Sequence, residues 1–331
     1  MLDRQGWKEN IHNPIKMLSQ LPEDAFESAG KDPVYLGQYN KVMEEFHKDI
    51  KTRACWFTEN ITGAECLPIA FFSAEYGLHH CLPFYAGGLG FLAGDYLKEC
   101  SDLGVPLIGV GFMYPRGYLR QRISADGWQE DVDEPLDREA APITKVYKDG
   151  KRLIVKVPFV EPPIYVAVWE VMIGRIQLYL MDTDIEENDP WNRSISSHLY
   201  AGDVEQRLRQ EIVLGIGGSA VLKALGIKHS ILHLNEGHPA FALLERIREK
   251  VEGGLSYEEA AGRVRATSVF TTHTPVPAGH DVFPFHLMDK YFGSYYPRLG
   301  LDRDSFLRLG THPNEPERGF IKRPGALPHA Q

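Results

Sequence analysis

The amino-acid sequence alternates short apolar runs with segments of helical periodicity. The apolar runs occupy residues 67–75, 105–113, 230–235 and 268–273. Between them, apolar residues recur at the three- and four-residue spacing of a helix face, as in residues 91–103, 239–252 and 257–265. Short apolar runs separated by helices are typical of strands buried on both faces of a parallel sheet. The pattern predicts an α/β fold with a Rossmann-like, doubly wound parallel sheet.

A second kind of pattern fills residues 118–182, which are rich in Val, Ile and Tyr. Two strand-like runs there are separated by Ile173 and Gly174, which favours a β-hairpin. We therefore expect an antiparallel β insertion over these residues. The expected organisation is a helical preface, a Rossmann-like domain that carries the insertion, and an unstructured tail, over residues 1–60, 61–310 and 311–331 respectively.

Charge and hydropathy argue against two classes of partner. The chain has 36 Lys and Arg residues against 45 Asp and Glu residues, a net charge of −9, so its surface as a whole repels nucleic-acid phosphates and anionic lipids. No apolar stretch approaches the roughly 20 residues that cross a bilayer. Residues 1–10 carry charges where a secretory signal has its apolar region. We expect a cytoplasmic protein with neither a nucleic-acid nor a membrane partner.

Polar side chains follow three of the predicted strands. Glu75 ends the first apolar run, residues 235–238 (Asn-Glu-Gly-His) follow the third, and Thr272 and His273 end the last. Because ligands of open α/β sheets bind beyond the carboxyl ends of the strands, we expect these groups to line one site. Independent structural residues would not be expected to cluster at one sheet edge.

Residues 233–238 (His-Leu-Asn-Glu-Gly-His) allow three interpretations. Two imidazoles and a carboxylate suggest zinc, but helical zinc ligands are spaced i and i+4, whereas these straddle a strand end and a turn. Alternatively, Glu236 or His238 caps the following helix, which Pro239 near its first turn favours. The same groups also fit a polar sugar pocket, because carboxylates and imidazoles bind several hydroxyls without a metal. We expect no metal site.

Two glycine motifs resemble the dinucleotide fingerprint. Gly88-x-Gly90-x-x-Ala93 opens a helix, but no acidic residue ends the next strand about 20 residues later, so a nucleotide cofactor is disfavoured. Its glycines indicate either close backbone approach to a polar ligand or a tight turn. The second motif, residues 215–220, follows a helical stretch rather than a strand, which favours helix packing over a binding loop.

Six ordered motifs stand out along the chain: residues 72–77 (FSAEYG), 85–90 (YAGGLG), 93–95 (AGD), 101–105 (SDLGV), 233–238 (HLNEGH) and 270–279 (FTTHTPVPAG). Together they resemble the α-glucan (glycogen and maltodextrin) phosphorylases of the short bacterial and archaeal type. The resemblance runs from about Trp7 to Leu309. One departure is Ala86, where long-type phosphorylases have asparagine.

This resemblance implies the N-terminal half of a two-domain glycosyltransferase of the GT-B type, with the active site between the halves. It implies transfer of a terminal α-1,4-linked glucosyl unit from glucan to phosphate, giving glucose 1-phosphate, with pyridoxal phosphate as cofactor. His273 would be catalytic, because its backbone carbonyl would support a developing oxocarbenium charge. The implied substrate-binding residues are Glu75, Gly87, Gly88, Leu89, Glu236, His238 and Thr272, and Gly88 would also contact the cofactor.

The family's lysine-bearing run, Glu-Ala-x-Gly-Thr-Ser-x-Met-Lys, does not occur in these 331 residues. The resemblance therefore implies that the chain alone holds no cofactor covalently and is inactive without a C-terminal half supplied in trans. A homo-oligomer is also expected. The open alternative is a non-catalytic carbohydrate-binding or regulatory remnant. Glycogen-synthase-like enzymes share the Gly-Gly-Leu-Gly loop, but residues 236–238 and 272–277 favour a phosphorylase.

Overall fold

The computed structural model describes residues 2–52, 54–61, 66–118, 121–132, 135–200, 202–273, 281–311 and 319–321. The helices are α1 (Arg4–Glu9), α2 (Pro14–Ser19), α3 (Glu23–Lys31), α4 (Pro33–Lys51), α5 (Trp56–Asn60), α6 (Gly88–Leu103), α7 (Pro190–Arg193), α8 (Val204–Ile212), α9 (Gly218–Leu225), α10 (Phe241–Glu252), α11 (Tyr257–Arg265), α12 (Phe285–Phe292) and α13 (Arg303–Arg308). The strands are β1 (Ile69–Phe72), β2 (Leu107–Phe112), β3 (Gln121–Ile123), β4 (Gln129–Asp131), β5 (Thr144–Lys145), β6 (Tyr147–Lys148), β7 (Lys151–Arg152), β8 (Ile154–Lys156), β9 (Tyr165–Ile173), β10 (Ile176–Asp182), β11 (Ile231–Asn235), β12 (Ser268–Thr271), β13 (Val282–Phe283) and β14 (Phe320–Ile321).

One sheet forms the centre of the molecule, with the strand order β12-β11-β1-β2-β10-β9-β5 and β8 beside β9. The strands from β12 to β10 pair in parallel, and β9 adds antiparallel to β10. Helices separate most of the parallel strands along the chain, which confirms the predicted α/β class and its parallel-rich, Rossmann-like sheet. Phe72, Val110 and Leu234 are completely buried in three neighbouring strands, as expected for a sheet covered on both faces.

The hairpin predicted at Ile173 and Gly174 is confirmed, because β9 and β10 pair antiparallel up to Ile173 and Ile176. Strand β10 also pairs in parallel with β2. Residues 165–182 therefore extend the central sheet, while β3–β4 and β6–β7 form separate two-stranded ribbons. Within the range of the expected insertion, the antiparallel part is continuous with the parallel part.

The glycine-containing helical stretch runs from α8 through a π-helical segment, Val213–Gly217, into α9. Gly215 lies against α10: a Cβ there would come within 2.6 Å of the Ala242 backbone nitrogen. Only glycine allows this approach, so the second glycine motif serves helix packing, as its sequence context predicts.

The N-terminal residues form helices α1–α5, which contribute little to the core. Asp32 caps α4 by accepting the Val34 N–H at 2.8 Å, with Pro33 in the first turn. Along α4, however, no residue is buried, and Val42 and Phe46 are 61% and 54% exposed.

The predicted unstructured tail is wrong in one described part. Phe320 is completely buried and stacks on Phe306 with ring centroids 5.7 Å apart. Its strand, β14, pairs with β13. Burial of a phenylalanine outweighs the local sequence, which shows no strand pattern. Residues 312–318 and 322–331 lie outside the described part of the chain.

Candidate active site at the strand ends

Three neighbouring strands, β12, β11 and β1, end at the same edge of the sheet. Their parallel registers pair Phe72 with Leu234 and Asn235 with Thr271. The polar groups that follow these strands are therefore neighbours, as the sequence predicts. Residues 274–280, the proline-containing continuation of the last motif, lie outside the described residues.

Glu75 is buried and holds three hydrogen bonds through its carboxylate. One oxygen, Oε2, accepts the backbone N–H groups of Ala86 at 2.7 Å and Gly87 at 3.2 Å. The other, Oε1, accepts the hydroxyl of Tyr200 at 2.7 Å. A Cβ at position 90 would lie 2.7 Å from Oε2, so glycine is required there. The carboxylate thus connects the glycine segment to the segment before α8.

The glycine segment is the first turn of a long helix. Gly87 is the N-cap of α6, and Gly88 and Leu89 begin it, three residues before the start that the sequence predicts at Phe91. A Cβ at Gly87 or Gly88 would meet no atom of the described residues within 4 Å. This side of the turn is therefore open to a ligand, next to backbone N–H groups at a helix N-terminus.

The last residue of β11 and the residue after it both contact His273, which lies two residues after the end of β12. Asn235 Oδ1 lies 2.9 Å from His273 Nε2, and a carboxylate oxygen of Glu236 accepts the His273 backbone N–H. Two residues earlier along each strand, His233 Nε2 lies 2.7 Å from Thr271 Oγ1. Burial, with a smaller contribution from the neighbouring His273, lowers the pKa of His233 to about 4. Thr272 lies between the two contacts and is exposed.

The helix-capping interpretation of Glu236 and His238 is wrong. Helix α10 begins at Phe241, and its N-cap, Ala240, has no side-chain cap. A turn across Gly237 and Pro239 separates Glu236 from the helix, with the Ala240 N–H bonded to the Gly237 carbonyl at 3.1 Å. Glu236 instead contacts the His273 backbone, and His238 lines the pocket described next.

A small pocket of about 20 Å³ lies beside this edge. His238 and Tyr200 line it, with ring centroids 5.4 Å apart. Arg207 on α8 also lines it and pairs with Asp281 at 3.0 Å. The remaining lining residues are Ala74, Phe112, Tyr114, Leu199, Gln210, Glu211 and Leu214.

Sequence reasoning missed several of these residues, among them Tyr200, Arg207 and Asp281. Glu211 offers the one visible signal. It lies three residues after Leu208 and next to Ile212, on the apolar face of an amphipathic helix, where a carboxylate is unusual. It is indeed buried in the structure. Tyr200 has no such signal, because its contact with Glu75 joins residues 125 positions apart.

Sites of two other kinds are absent from the described ranges. These ranges contain no group of three or more His, Cys, Asp or Glu side chains placed to hold a metal ion. In the same ranges, no helix combines the length and apolar character that crossing a membrane requires.

Comparison with known proteins extends the picture to the whole chain. A family model described as "Protein of unknown function (DUF3417)" matches residues 1–82. A glycogen phosphorylase of Aquifex aeolicus is 45% identical over 320 residues, which is 96% of this chain and 45% of the relative. A maltodextrin phosphorylase of Thermococcus litoralis is 42% identical over 93% of this chain and 37% of its own. A glycogen phosphorylase of Mycobacterium tuberculosis is 38% identical over 94% of this chain and 38% of its own. The chain thus spans less than half the length of these relatives.

Proposed function

The chain belongs to the α-glucan phosphorylase family, and from this premise we propose that it is the N-terminal, sugar-binding part of such an enzyme. The complete enzyme would transfer terminal α-1,4-linked glucosyl units from glycogen or maltodextrin to phosphate, giving glucose 1-phosphate. Its architecture would be of the GT-B type, with this Rossmann-like domain facing a second one.

One observation carries the proposal: residues far apart in the sequence are hydrogen-bonded into a single edge. Glu75 binds the glycine turn and Tyr200. At the adjacent strand ends, the Glu236 carboxylate accepts the backbone N–H of His273. Such a fixed edge of carboxylate, imidazole and backbone N–H groups, beside a small pocket, supports binding of a ligand with many hydroxyl groups.

In this proposal the residues have distinct roles. His273 is catalytic through its backbone carbonyl, which would face the positive charge that develops on the glucosyl ring. Glu236 orients His273 by accepting its backbone N–H, and Glu75 fixes the glycine turn by accepting the Gly87 N–H. The groups left to contact sugar hydroxyls or the phosphate are Gly87, Gly88, Leu89, His238 and Thr272.

Pyridoxal phosphate is the cofactor that the family implies, and the glycine turn fits its approach, since Gly88 is exposed with open space where a side chain would lie. When bound, the cofactor would supply its phosphate as a proton relay. These 331 residues supply contact at Gly88, whereas the Schiff-base lysine would come from a C-terminal half. That half, provided in trans or otherwise, is the first proposed partner; glucan, phosphate and a second copy of the enzyme are the others.

The test is reconstitution. The chain is co-expressed with the C-terminal portion of the Aquifex aeolicus relative and assayed for phosphate-dependent release of glucose 1-phosphate from maltodextrin. We expect product only when both parts, phosphate and glucan are present. The chain alone should show no imine absorbance that survives desalting and disappears on borohydride reduction, because no matching lysine is present.

The other outcomes discriminate the alternatives. Maltodextrin binding by the chain, without product in any assembled form, would favour a carbohydrate-binding remnant. Absence of both binding and product would contradict the proposed function.

A further inference from the structure

Asn235 and Glu236 are consecutive residues, yet both contact His273. In a regular strand, successive side chains point to opposite faces. Glu236 has a φ of 63°, in the left-handed region that non-glycine residues rarely adopt. This turn in the backbone brings the Glu236 carboxylate to the neighbour that Asn235 also reaches. The end of β11 therefore holds the ring of His273 with one residue and its backbone N–H with the next.

The direction of the hydrogen bond to the His273 ring follows from the groups behind it. Ser73 and Asn235 are both essentially inaccessible to solvent. Ser73 has one hydroxyl hydrogen and donates it to the Glu75 carbonyl oxygen at 2.9 Å. Ser73 Oγ must then accept the bond from Asn235 Nδ2, at 3.1 Å. This leaves Asn235 Oδ1 facing His273 Nε2, which must carry a hydrogen.

The reversed amide is less favourable. With Oδ1 toward Ser73, the serine hydrogen would be drawn away from the buried Glu75 carbonyl. An acceptor buried without a donor destabilises the fold, because it loses its hydrogen bonds to water without gaining one in the protein. The chain of donors therefore runs in one direction across three strand ends, from His273 through Asn235 and Ser73 to Glu75.

We propose that Asn235 is a positioning residue that fixes His273 in the tautomer with hydrogen on Nε2, leaving Nδ1 as a hydrogen-bond acceptor. Together with the Glu236 contact, this restrains the residue whose carbonyl oxygen has the catalytic role above. The consequence for catalysis rests on the proposed function, whereas the tautomer is a property of the chain itself. Restraint of a catalytic group before the substrate arrives lowers the barrier by removing reorganisation.

The tautomer is measured by nuclear magnetic resonance on the 331-residue chain labelled with ¹⁵N-histidine. The His273 signal is identified by its disappearance in His273→Gln. We expect Nε2 to resonate as a protonated nitrogen and Nδ1 as an unprotonated one. In Asn235→Ala the two should move toward a common average, whereas in Asn235→Asp the Nε2 nitrogen should stay protonated, because a carboxylate oxygen still accepts its hydrogen.

Two further variants make the result specific. Ser73→Ala releases the Asn235 amide, so His273 should populate both tautomers even if Asn235→Ala does not fold. Thr271→Val removes the analogous bond to His233 on the same strands and should leave the His273 signals unchanged. A wild-type ring protonated on Nδ1, or His273 signals that ignore both Asn235→Ala and Ser73→Ala, would overturn the proposal.

The catalytic arm uses the enzyme assembled with its C-terminal half. We expect Asn235→Ala to lower kcat about tenfold with little change in KM, and Asn235→Asp to restore most of it. A lost tautomer with unchanged kcat would overturn the positioning role. If the unmodified assembly makes no glucose 1-phosphate, the proposed function fails while the resonance result still decides the role of Asn235.

Discussion

Two groups of polar side chains in this molecule, each with buried members at its centre, differ in which groups they leave exposed. One is the strand-end edge formed by Ser73, Glu75, Asn235, Glu236 and His273. The other, which we call the α10 cluster, consists of Glu245, Arg248, Glu252, Tyr295 and Arg298 with the ring of Phe159. Both lie on or next to neighbouring elements, β11 and α10, that are separated by a short turn.

The α10 cluster is complete within itself. Glu245 binds Arg248 through both oxygens, at 2.9 and 2.6 Å, and accepts the Tyr295 hydroxyl at 2.8 Å. Arg248 also reaches Glu252 at 2.6 Å. The Phe159 ring contacts two guanidinium groups, Arg248 and Arg298, 4.8 and 4.1 Å from its centroid. The hydrogen bonds between Arg248 and Glu245 raise the pKa of Arg248, so its guanidinium stays charged.

The strand-end edge is organised differently, because its internal bonds go largely to backbone groups. Glu75 and Glu236 accept backbone N–H groups of Gly87 and His273. These bonds fix the shape of two loops whose outer faces remain open, as the exposed Gly88 and His273 show. The comparison teaches that burial of charge by itself does not mark a site. The α10 cluster, whose charges pair with one another, stabilises the fold, whereas the strand-end edge holds loop backbone in place and leaves the outer faces of those loops open.

The largest expected effect tests the structural side of the comparison. Glu245→Ala leaves the nearly inaccessible Arg248 without its bidentate partner, so the free energy of unfolding should fall by about 3–5 kcal/mol. Urea denaturation measures this. The matched control is Glu249→Ala on the same helix, which removes an exposed pair with Lys223 and should cost less than about 1 kcal/mol. Equal losses for the two variants would break the distinction between a buried cluster and a surface pair.

The second prediction concerns the edge. In the assembled enzyme, Glu236→Gln replaces a charged acceptor of the His273 N–H with a neutral one, and kcat/KM should fall tenfold to hundredfold, about 1.5–3 kcal/mol. His238→Ala should lower kcat/KM by a similar factor. Activity and thermal unfolding are measured on the same samples, with the exposed Glu258→Gln as control. A lowered melting temperature with unchanged kcat/KM would make these residues structural, like those of the α10 cluster.

A third variant, Tyr200→Phe, should weaken the strand-end edge while leaving every strand residue unchanged. The variant deletes the hydroxyl that Glu75 Oε1 accepts, and the unfolding free energy should fall by about 1.5 kcal/mol, since the carboxylate keeps two amide donors. Exposed Tyr39→Phe on α4 serves as the control. If Tyr200→Phe is as neutral as Tyr39→Phe, Glu75 does not depend on this link between the two segments.

The last prediction concerns the pH dependence of stability. Burial lowers the pKa of His233 to about 4, from an ordinary value near 6.5, so the unfolded chain binds more protons between these values. Its contribution to stability is complete above pH 6.5 and is lost as the pH falls toward 4. His233→Gln should therefore reduce the decline in urea stability between pH 7 and pH 4.5.

His229 provides the matched comparison for this measurement. Burial, with a smaller contribution from Arg246, lowers its pKa to about 4 as well. His229→Gln should reduce the pH dependence by a similar amount, and the double variant should reduce it by the sum of both. An unchanged slope in His233→Gln would show that this histidine is not kept neutral by the fold.

Much of the fold could be predicted from local pattern. The spacing of apolar residues gives helix α11 with its exact bounds and the hairpin at Gly174. The same reasoning places Glu75, Asn235 and His273 at one sheet edge, because parallel strands end together. It fails at Phe320, where a buried strand forms at a position with no repeating pattern to announce it.

What the sequence by itself determined is therefore the order of strands and helices and the chemical types gathered at their ends, since hydrophobic periodicity is written locally along the chain. The tertiary structure alone decided how those groups are used. The left-handed φ of Glu236, the link from Tyr200 to Glu75 and the self-paired α10 cluster all depend on contacts between residues distant in sequence or on a backbone conformation that packing imposes. No local pattern encodes such contacts, because their energies arise only when the elements are already packed together.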